Sequence, residues 1–335
     1  MTTYIYNMGL RFKEIARAFP ERTALAFADG ASMNYATLDR KSDAAAAHLL
    51  QAGVKPGGVV ALWCDKRPET YPLMLAALKI GAPYVALDTE SPKARLDKIL
   101  AQCRPALIVS EKPDFKWNSV PVMPLAQLES SINPVSPDII ARVNGGMAAY
   151  LMFTSGSTGF PKGVTISHAS MLNFCHWARD TFSIAPDDCF TSVNPLYFDN
   201  SVFDFTASLF NGASLAPIGR EALKQAKSLV EQTKHCTVWF SVPSLLIYLS
   251  AMKALGKESW PNMRAIVFGG EGFAKAELKK LHALYGRQAT LWNVYGPTEC
   301  TCICSAYAIS EADFVDMTKL APLGLLAPNF SGAVM

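Results

Sequence analysis

A chain of 335 residues, 50% hydrophobic and 18% charged, can bury a large core, which excludes disorder as its dominant state. The composition also excludes collagen, coiled coil and small disulfide scaffolds. Lys and Arg number 31 against 28 acidic residues, a formal charge of +3, and the scattered cations leave no footprint for a nucleic-acid backbone. Near the start, RFKEIARAF (11–19) reads as a helix, and Tyr35-Ala36-Thr37-Leu38 leads into the alanine-rich Asp39–Leu50, a second helical stretch ending near Gly53. GVVALWCD (58–65) is a compact apolar run that predicts a buried strand. ETYPLMLAALKIG (69–81) predicts a helix with Pro72 in its first turn and Gly81 as its stop. PYVALD (83–88) is the next strand, Pro92 opens a helix through Ala101, and PALIVS (105–110) follows as a strand. Such strand–helix–strand units imply a mostly parallel sheet covered by helices.

Residues 111–146, rich in Pro, Ser and Asn, read as irregular connection. A strand, AAYLMFT (148–154), leads into an unusual loop, and a helix is expected from a Ser167 cap to about Arg179. TVWFSV (237–242), RAIVFG (264–269) and ATLWNVYG (289–296) predict strands of a second series, with KAELKKLHALYG (275–286) as a helix between the last two. The expected fold class is α/β: two lobes of mostly parallel sheet, approximately 1–146 and 147–320, with 321–335 beginning a further part. Ligands of open α/β sheets bind outside the carboxyl ends of the strands, where the chemically distinctive loops fall. No apolar run reaches the ~18–20 residues of a membrane helix, and the N-terminus lacks a signal-peptide core. Eight cysteines in such a chain are expected to be reduced, and the protein cytoplasmic, with neither membrane nor nucleic acid as partner.

Thr154-Ser155-Gly156-Ser157-Thr158-Gly159-Phe160-Pro161-Lys162-Gly163 places four hydroxyls, three glycines and one lysine directly after an apolar strand. Glycines let backbone approach a ligand closely, hydroxyls and amides donate to oxygens, and Lys162 adds positive charge, as polyphosphate binding requires. A Walker A loop has Gly-Lys-Ser/Thr instead, and the spacing is wrong for a Gly-x-Ser-x-Gly nucleophile elbow. A plain flexible connector needs neither the lysine nor the buried strand.

The segment AAYLMFTSGSTGFPKGV resembles the signature of the adenylate-forming enzymes: acyl-CoA synthetases, luciferases and the adenylation domains of non-ribosomal peptide synthetases. LKIGAPYVALD (78–88), PLYFDNSVFD (195–204), FGGE (268–271) and NVYGPTE (293–299) match further motifs of that family in the expected order. The similarity is strongest to amino-acid adenylation domains and to stand-alone ligases that charge a carrier protein. It implies that Thr154 to Gly159 and Lys162 hold the phosphates of ATP. It also implies that Gly269, Gly270 and Glu271 lie at the adenine edge, that Tyr295 stacks on the purine beside Asn293 and Gly296, that Thr298 meets the α-phosphate region, and that Glu299 binds Mg²⁺. Lys162, Thr298 and Glu299 are then the catalytic candidates.

An aspartate in an apolar, aromatic setting is costly unless it meets a cation or donors. Asp199 matches the family position that grips the α-ammonium of an amino acid, and Phe198 would position the carboxylate; Asp204 does not match. A solvated carboxylate at a helix start is the plainer reading of Asp199. Motif alignment assigns Asn200, Phe203, Phe240, Val267, Gly269, Val294, Cys302 and Ile303 to the side-chain pocket, a wall without charge that suits a small or medium neutral amino acid. Cys300, Cys302 and Cys304 would share one face of a strand, but with no histidine near in sequence they read as buried thiols rather than a metal site. His168 and His176 read as structural.

The resemblance therefore implies ATP-dependent activation of a neutral amino acid as aminoacyl-adenylate, with release of pyrophosphate, and transfer to a carrier-protein phosphopantetheine thiol. An acyl- or aryl-acid CoA ligase and a non-catalytic nucleotide-binding derivative are the alternatives. Family members continue past Met335 with a ribose-binding aspartate, a hinge and a small domain carrying a catalytic lysine. The chain thus reads as C-terminally truncated, and by itself it is expected to adenylate poorly.

Overall fold

The computed structural model describes residues 4–112, 114–117, 120–130, 132–155 and 160–333. They divide into two compact units: Met1–Ala24, Met33–Cys175 and Pro195–Asp199 form the first, and Leu25–Ser32, His176–Asn194 and Asn200–Met335 the second.

The chain opens with α1 (Met8–Ala18), β1 (Thr23–Ala26), β2 (Ser32–Asn34) and α2 (Tyr35–Gln51). Asn7 and Asn34 cap the two helices, their side-chain oxygens accepting from Leu10 N (2.8 Å) and Thr37 N (2.9 Å). The predicted alternation follows as β3 (Val60–Trp63), α3 (Thr70–Ile80), β4 (Tyr84–Ala86), α4 (Lys93–Cys103) and β5 (Leu107–Ser110). Gly81 ends α3 in the left-handed conformation (φ 67°), which explains a glycine at that stop.

Residues 111–146 hold more regular structure than their Pro, Ser and Asn content predicts. β6 (Val122–Pro124), a 3₁₀ turn at Leu125–Glu129 and α5 (Pro137–Ala141) lie there. β6 is too short to show alternation; it forms because the edge of β5 offers a parallel partner, Ile108 against Val122. β7 (Ala148–Ser155) then turns back as β8 (Pro161–Ser167), a strand absent from the sequence reading because its residues are largely exposed. α6 (His168–Thr181) follows, with the Ser167 hydroxyl accepting from Ser170 N (3.1 Å), as expected of that cap. The six-stranded sheet runs β6-β5-β3-β4-β7-β8. Because β7 pairs in parallel with β4 (Tyr84 to Tyr150), the first unit continues to Cys175, beyond the boundary expected at 146.

The second unit is built from β9 (Cys189–Ser192), α7 (Asn200–Leu209), β10 (Ser214–Pro217), α8 (Arg220–Leu223), α9 (Ala226–Gln232) and β11 (Val238–Ser241). It continues through α10 (Pro243–Ala251), β12 (Ala265–Gly269), α11 (Lys275–Tyr285), β13 (Thr290–Tyr295), β14 (Ser305–Ala308) and β15 (Leu325–Leu326). The nine-stranded sheet has the order β15-β14-β13-β12-β11-β9-β10-β1-β2. Its centre, β10 to β13, is parallel, while β13–β14 and β14–β15 are antiparallel. The fold is thus α/β with two mostly parallel sheets. Among the described residues no helix is long and apolar enough to cross a membrane.

Candidate functional site

In the first unit the predicted phosphate loop falls between the antiparallel strands β7 and β8. Gly156, Ser157, Thr158 and Gly159 lie outside the described residues, as does the side chain of Ser155. On the described strands, Thr154 is in register with Lys162, so the loop's hydroxyl and its cation leave the sheet side by side. Lys162 is exposed. Gln102 of α4 donates to Pro161 O (2.8 Å) and fixes the return strand next to it.

The segment Pro195–Asp199 is counted with this unit. Tyr197 and Phe198, with ring centroids 4.9 Å apart, line a cavity of ≈ 390 Å³ together with Asp88, Arg95 and Phe153. Phe198 is 52% exposed. Asp199 is half-buried and directly precedes α7, so its position also fits a helix-start carboxylate.

In the second unit, strand register gathers the expected pocket wall. Phe240 pairs with Val267, and Gly269 with Val294. Residues in register share a face, and residues two apart share it too. Phe240, Val267, Gly269 and Val294 therefore lie on one face of the sheet. Phe203 of α7 packs on that face, edge-on to Phe240 at 5.0 Å. Phe182, edge-on at 5.3 Å to both Phe203 and Trp292, completes an aromatic layer that the sequence reading missed; its rings belong to elements far apart in the chain. Asn194 holds α7 against the strands: its Nδ2 donates to Asp204 Oδ2 (3.0 Å) and Phe240 O (2.9 Å). Through that bond the buried Asp204 helps join α7 to β11. Asn200 is half-buried, and its Nδ2 is enclosed without a partner, a donor that a ligand acceptor would satisfy.

Gly269 is required by contact rather than by dihedral. A Cβ there would lie 2.4 Å from Val294 O, so any side chain pushes the strands apart. Beyond it, Gly270 adopts φ 87°, and Glu271 Oε2 accepts from Ser244 N (3.2 Å) in the first turn of α10. On the face opposite Val294, Asn293 Nδ2 donates to Pro322 O (2.8 Å), which leaves Oδ1 as the acceptor end of the amide. Two residues on and on the same face, Tyr295 is 48% exposed, a flat ring open on the carboxyl end of β13. The chain then turns at Gly296 into a 3₁₀ turn, Thr298–Cys300, on which the Glu299 carboxylate is exposed.

Cys300–Cys304 is not the strand that the alternating thiols suggest. Thr301 (φ 63°) and Cys302 (φ 75°) are both left-handed, and pairing resumes only where Cys304 N donates to Tyr295 O (2.9 Å). The bend packs the Cys302 carbonyl against Gly296, where a Cβ would lie 2.4 Å from its oxygen. Cys302 and Ile303 are buried, whereas Cys300 is half-buried. His168, fully buried, accepts from Met8 N through Nδ1 (3.2 Å), and burial pulls its pKa down to about 4. It is neutral and structural.

A family model described as AMP-binding enzyme matches residues 12–335. The chain is 33% identical over 325 residues to an L-proline–L-prolyl-carrier-protein ligase of Streptomyces coelicolor, covering 90% of this chain and 61% of that ligase. It is 31% identical over 342 residues to bacitracin synthase 1 of Bacillus licheniformis, covering 100% of this chain and 6% of the synthase. Among solved structures, the N-terminal subdomain of Klebsiella oxytoca NpsA in complex with 3-hydroxybenzoyl-AMSN superposes with a TM-score of 0.85 at 23% identity. That match covers 97% of this chain and 81% of that one, and at such identity it speaks for the fold. The chain spans 61% of the length of the prolyl-carrier-protein ligases it matches.

Proposed function

Because the chain belongs to the AMP-binding enzyme family, we propose that it activates the carboxylate of a neutral amino acid with ATP. The product is an aminoacyl-adenylate destined for the phosphopantetheine thiol of a carrier protein. A carboxylate oxygen of the substrate attacks the α-phosphorus, and the bond to the bridging oxygen of pyrophosphate breaks. Such a displacement depends on positioning and charge neutralisation, not on a protein nucleophile.

In this reading Thr154, Lys162 and the loop between them hold the β- and γ-phosphates and the departing pyrophosphate. Asn293 accepts from the adenine amino group, Tyr295 stacks on the ring, and Thr298 meets the α-phosphate. The exposed Glu299 carboxylate suits a hard, oxygen-seeking ion, and Mg²⁺ bound there would neutralise phosphate charge. Asp199 takes the α-ammonium, with Phe198 positioning the carboxylate. The observation that carries the choice of a neutral substrate is the single uncharged sheet face formed by Phe240, Val267, Gly269 and Val294 with Phe203 on it. A charged side chain enclosed there would have no partner to offset its desolvation.

Amino-acid-dependent ATP–pyrophosphate exchange tests the proposal. Neutral amino acids support exchange, and Asp199→Ala weakens it roughly 10–100-fold, the loss of one charge-assisted contact. Exchange driven by a simple fatty or aryl acid, unchanged in Asp199→Ala, overturns the amino-acid assignment. A preference for Lys, Arg, Asp or Glu overturns the neutral pocket.

A further inference from the structure

The carboxyl ends of the second unit's strands carry the nucleotide motifs; the opposite edge of the same sheet carries a different cluster. Cys189 is the first residue of β9, and His235 and Cys236 come just before β11, which is the parallel neighbour of β9. The register Phe190 to Val238 brings these amino-terminal ends together across a sequence gap of 47 residues. Cys189 Sγ lies 3.7 Å from Cys236 Sγ, and Cys236 Sγ lies 3.8 Å from His235 Nε2. All three donor atoms fall within 4.8 Å of one another.

We propose that Cys189, His235 and Cys236 form a binding site for a soft, thiophilic divalent cation of the zinc class. Tetrahedral zinc with Zn–S bonds of about 2.3 Å separates two thiolate ligands by about 3.8 Å, and thiolate from imidazole by slightly less. The observed Sγ–Sγ separation of 3.7 Å matches the first edge, and Cys236 Sγ to His235 Nε2 at 3.8 Å is within a few tenths of an ångström of the second. A disulfide demands sulfurs about 2.05 Å apart, well inside the observed spacing. Two sulfurs and one imidazole nitrogen also form a donor set that disfavours magnesium and calcium, which seek oxygen.

The surroundings supply both rigidity and access. Cys189 N donates to Thr237 Oγ1 (3.0 Å), and Thr237 Oγ1 donates to Asp188 Oδ1 (2.7 Å). Arg264 closes this chain with a two-point contact on the Asp188 carboxylate, Nε to Oδ1 at 2.7 Å and Nη2 to Oδ2 at 2.5 Å. The strand ends that carry the ligands are thereby locked to each other without the cation. Both thiols are buried, whereas His235 is exposed, so the imidazole is the entry side and the fourth coordination position is left to water. Binding displaces the two thiol protons, so uptake of the cation releases protons.

The test is titration of reduced, chelator-treated protein with Zn²⁺ against a competing chromogenic chelator, repeated with Co²⁺. One equivalent binds, the cobalt form shows thiolate-to-metal charge-transfer absorption, and protons are released. His235→Ala changes an exposed residue and leaves the core intact. It weakens binding by at least about 100-fold, since loss of even an outer partner of a metal ligand costs roughly 10–100-fold. Cys189→Ser and Cys236→Ser abolish the charge-transfer band, whereas Cys103→Ser, in the other unit, leaves it unchanged. Absence of a stoichiometric site, or a site of equal affinity in His235→Ala, overturns the proposal. So does a Cys189–Cys236 disulfide in protein isolated without oxidant.

Discussion

The two units differ in what fills the centre of their helix and strand packing. In the first, α1, α2 and α3 meet around a fully buried ammonium. Lys79 Nζ donates to Asp39 Oδ1 (2.6 Å), Asp43 Oδ1 (2.7 Å) and Ser42 Oγ (2.6 Å), while Lys13 bridges the same two aspartates from the rim. Burial pulls Lys79 down from its usual pKa against the raising effect of the aspartates. Lys13 also loses water to burial, but its bonds to Asp39 and Asp43 prevail and its pKa goes up. The two shifts differ in sign because only Lys79 is wholly cut off from solvent.

In the second unit the corresponding work falls to rings. Trp239 and Trp260 pack as tilted rings at 4.6 Å, and Trp260 and Tyr285 at 5.5 Å. Their polar ends are satisfied locally, Trp260 Nε1 by Thr233 Oγ1 (3.0 Å) and Tyr285 OH by Gly256 O (2.8 Å). A charged clamp sets position strictly but fails when one partner goes. Apolar ring packing is insensitive to pH and tolerates small changes in shape better. The second unit's ion pair, Asp188 with Arg264, sits at the amino-terminal ends of β9 and β12, whereas the exposed nucleotide-motif residues Tyr295 and Glu299 extend from the carboxyl end of β13.

The largest effect expected from breaking this contrast is Lys79→Met. It takes the buried cation from Asp39 and Asp43, leaving them only Lys13 at the rim, and destabilises the protein by about 3 kcal/mol in urea unfolding. Adding Asp39→Asn and Asp43→Asn to it recovers most of the loss; a triple variant as unstable as the single one shows that the lysine's packing, not its charge, matters.

Next comes His168. Its folded pKa of about 4 lies below the unfolded 6.5, so the unfolded chain binds the extra proton first as pH falls. Its contribution is complete above about pH 6.5 and is lost between there and pH 4, a total of about 3 kcal/mol. His168→Asn keeps an acceptor for Met8 N and flattens that part of the stability profile. An unchanged profile assigns the acid sensitivity elsewhere.

The smallest effect expected is Gly269→Ala, about 1–3 kcal/mol from forcing β12 away from β13. It carries no pH dependence. A pH-dependent penalty there removes the distinction between the units.

Much of this architecture is legible in the chain. The strands at 58–65, 83–88, 237–242 and 264–269 are short apolar runs bounded by turn residues, and each is a strand in the structure. Gly81 marks a helix end because only glycine takes that backbone without cost. β8 was not legible, since Lys162, Gly163 and Thr165 face solvent and only pairing with β7 makes the segment a strand. The same holds for the bend at Thr301 and Cys302, where alternating thiols imitate a strand although the backbone is left-handed. The pocket residues could be aligned motif by motif, but their common face follows from register, which no local pattern records.

The sequence by itself determined the family, the α/β class and the order of the motifs, because these reside in residue type and short-range spacing. Tertiary structure alone decided which distant groups share a neighbourhood. Lys79 meets Asp39 and Asp43 through helix packing, Phe203 meets Phe240 across α7 and β11, and Cys189 meets His235 and Cys236 through adjacent parallel strands. In a parallel sheet, neighbouring strands are joined by long crossovers. Their ends gather residues that are far apart in the chain, so chemistry formed there is settled by strand order and register.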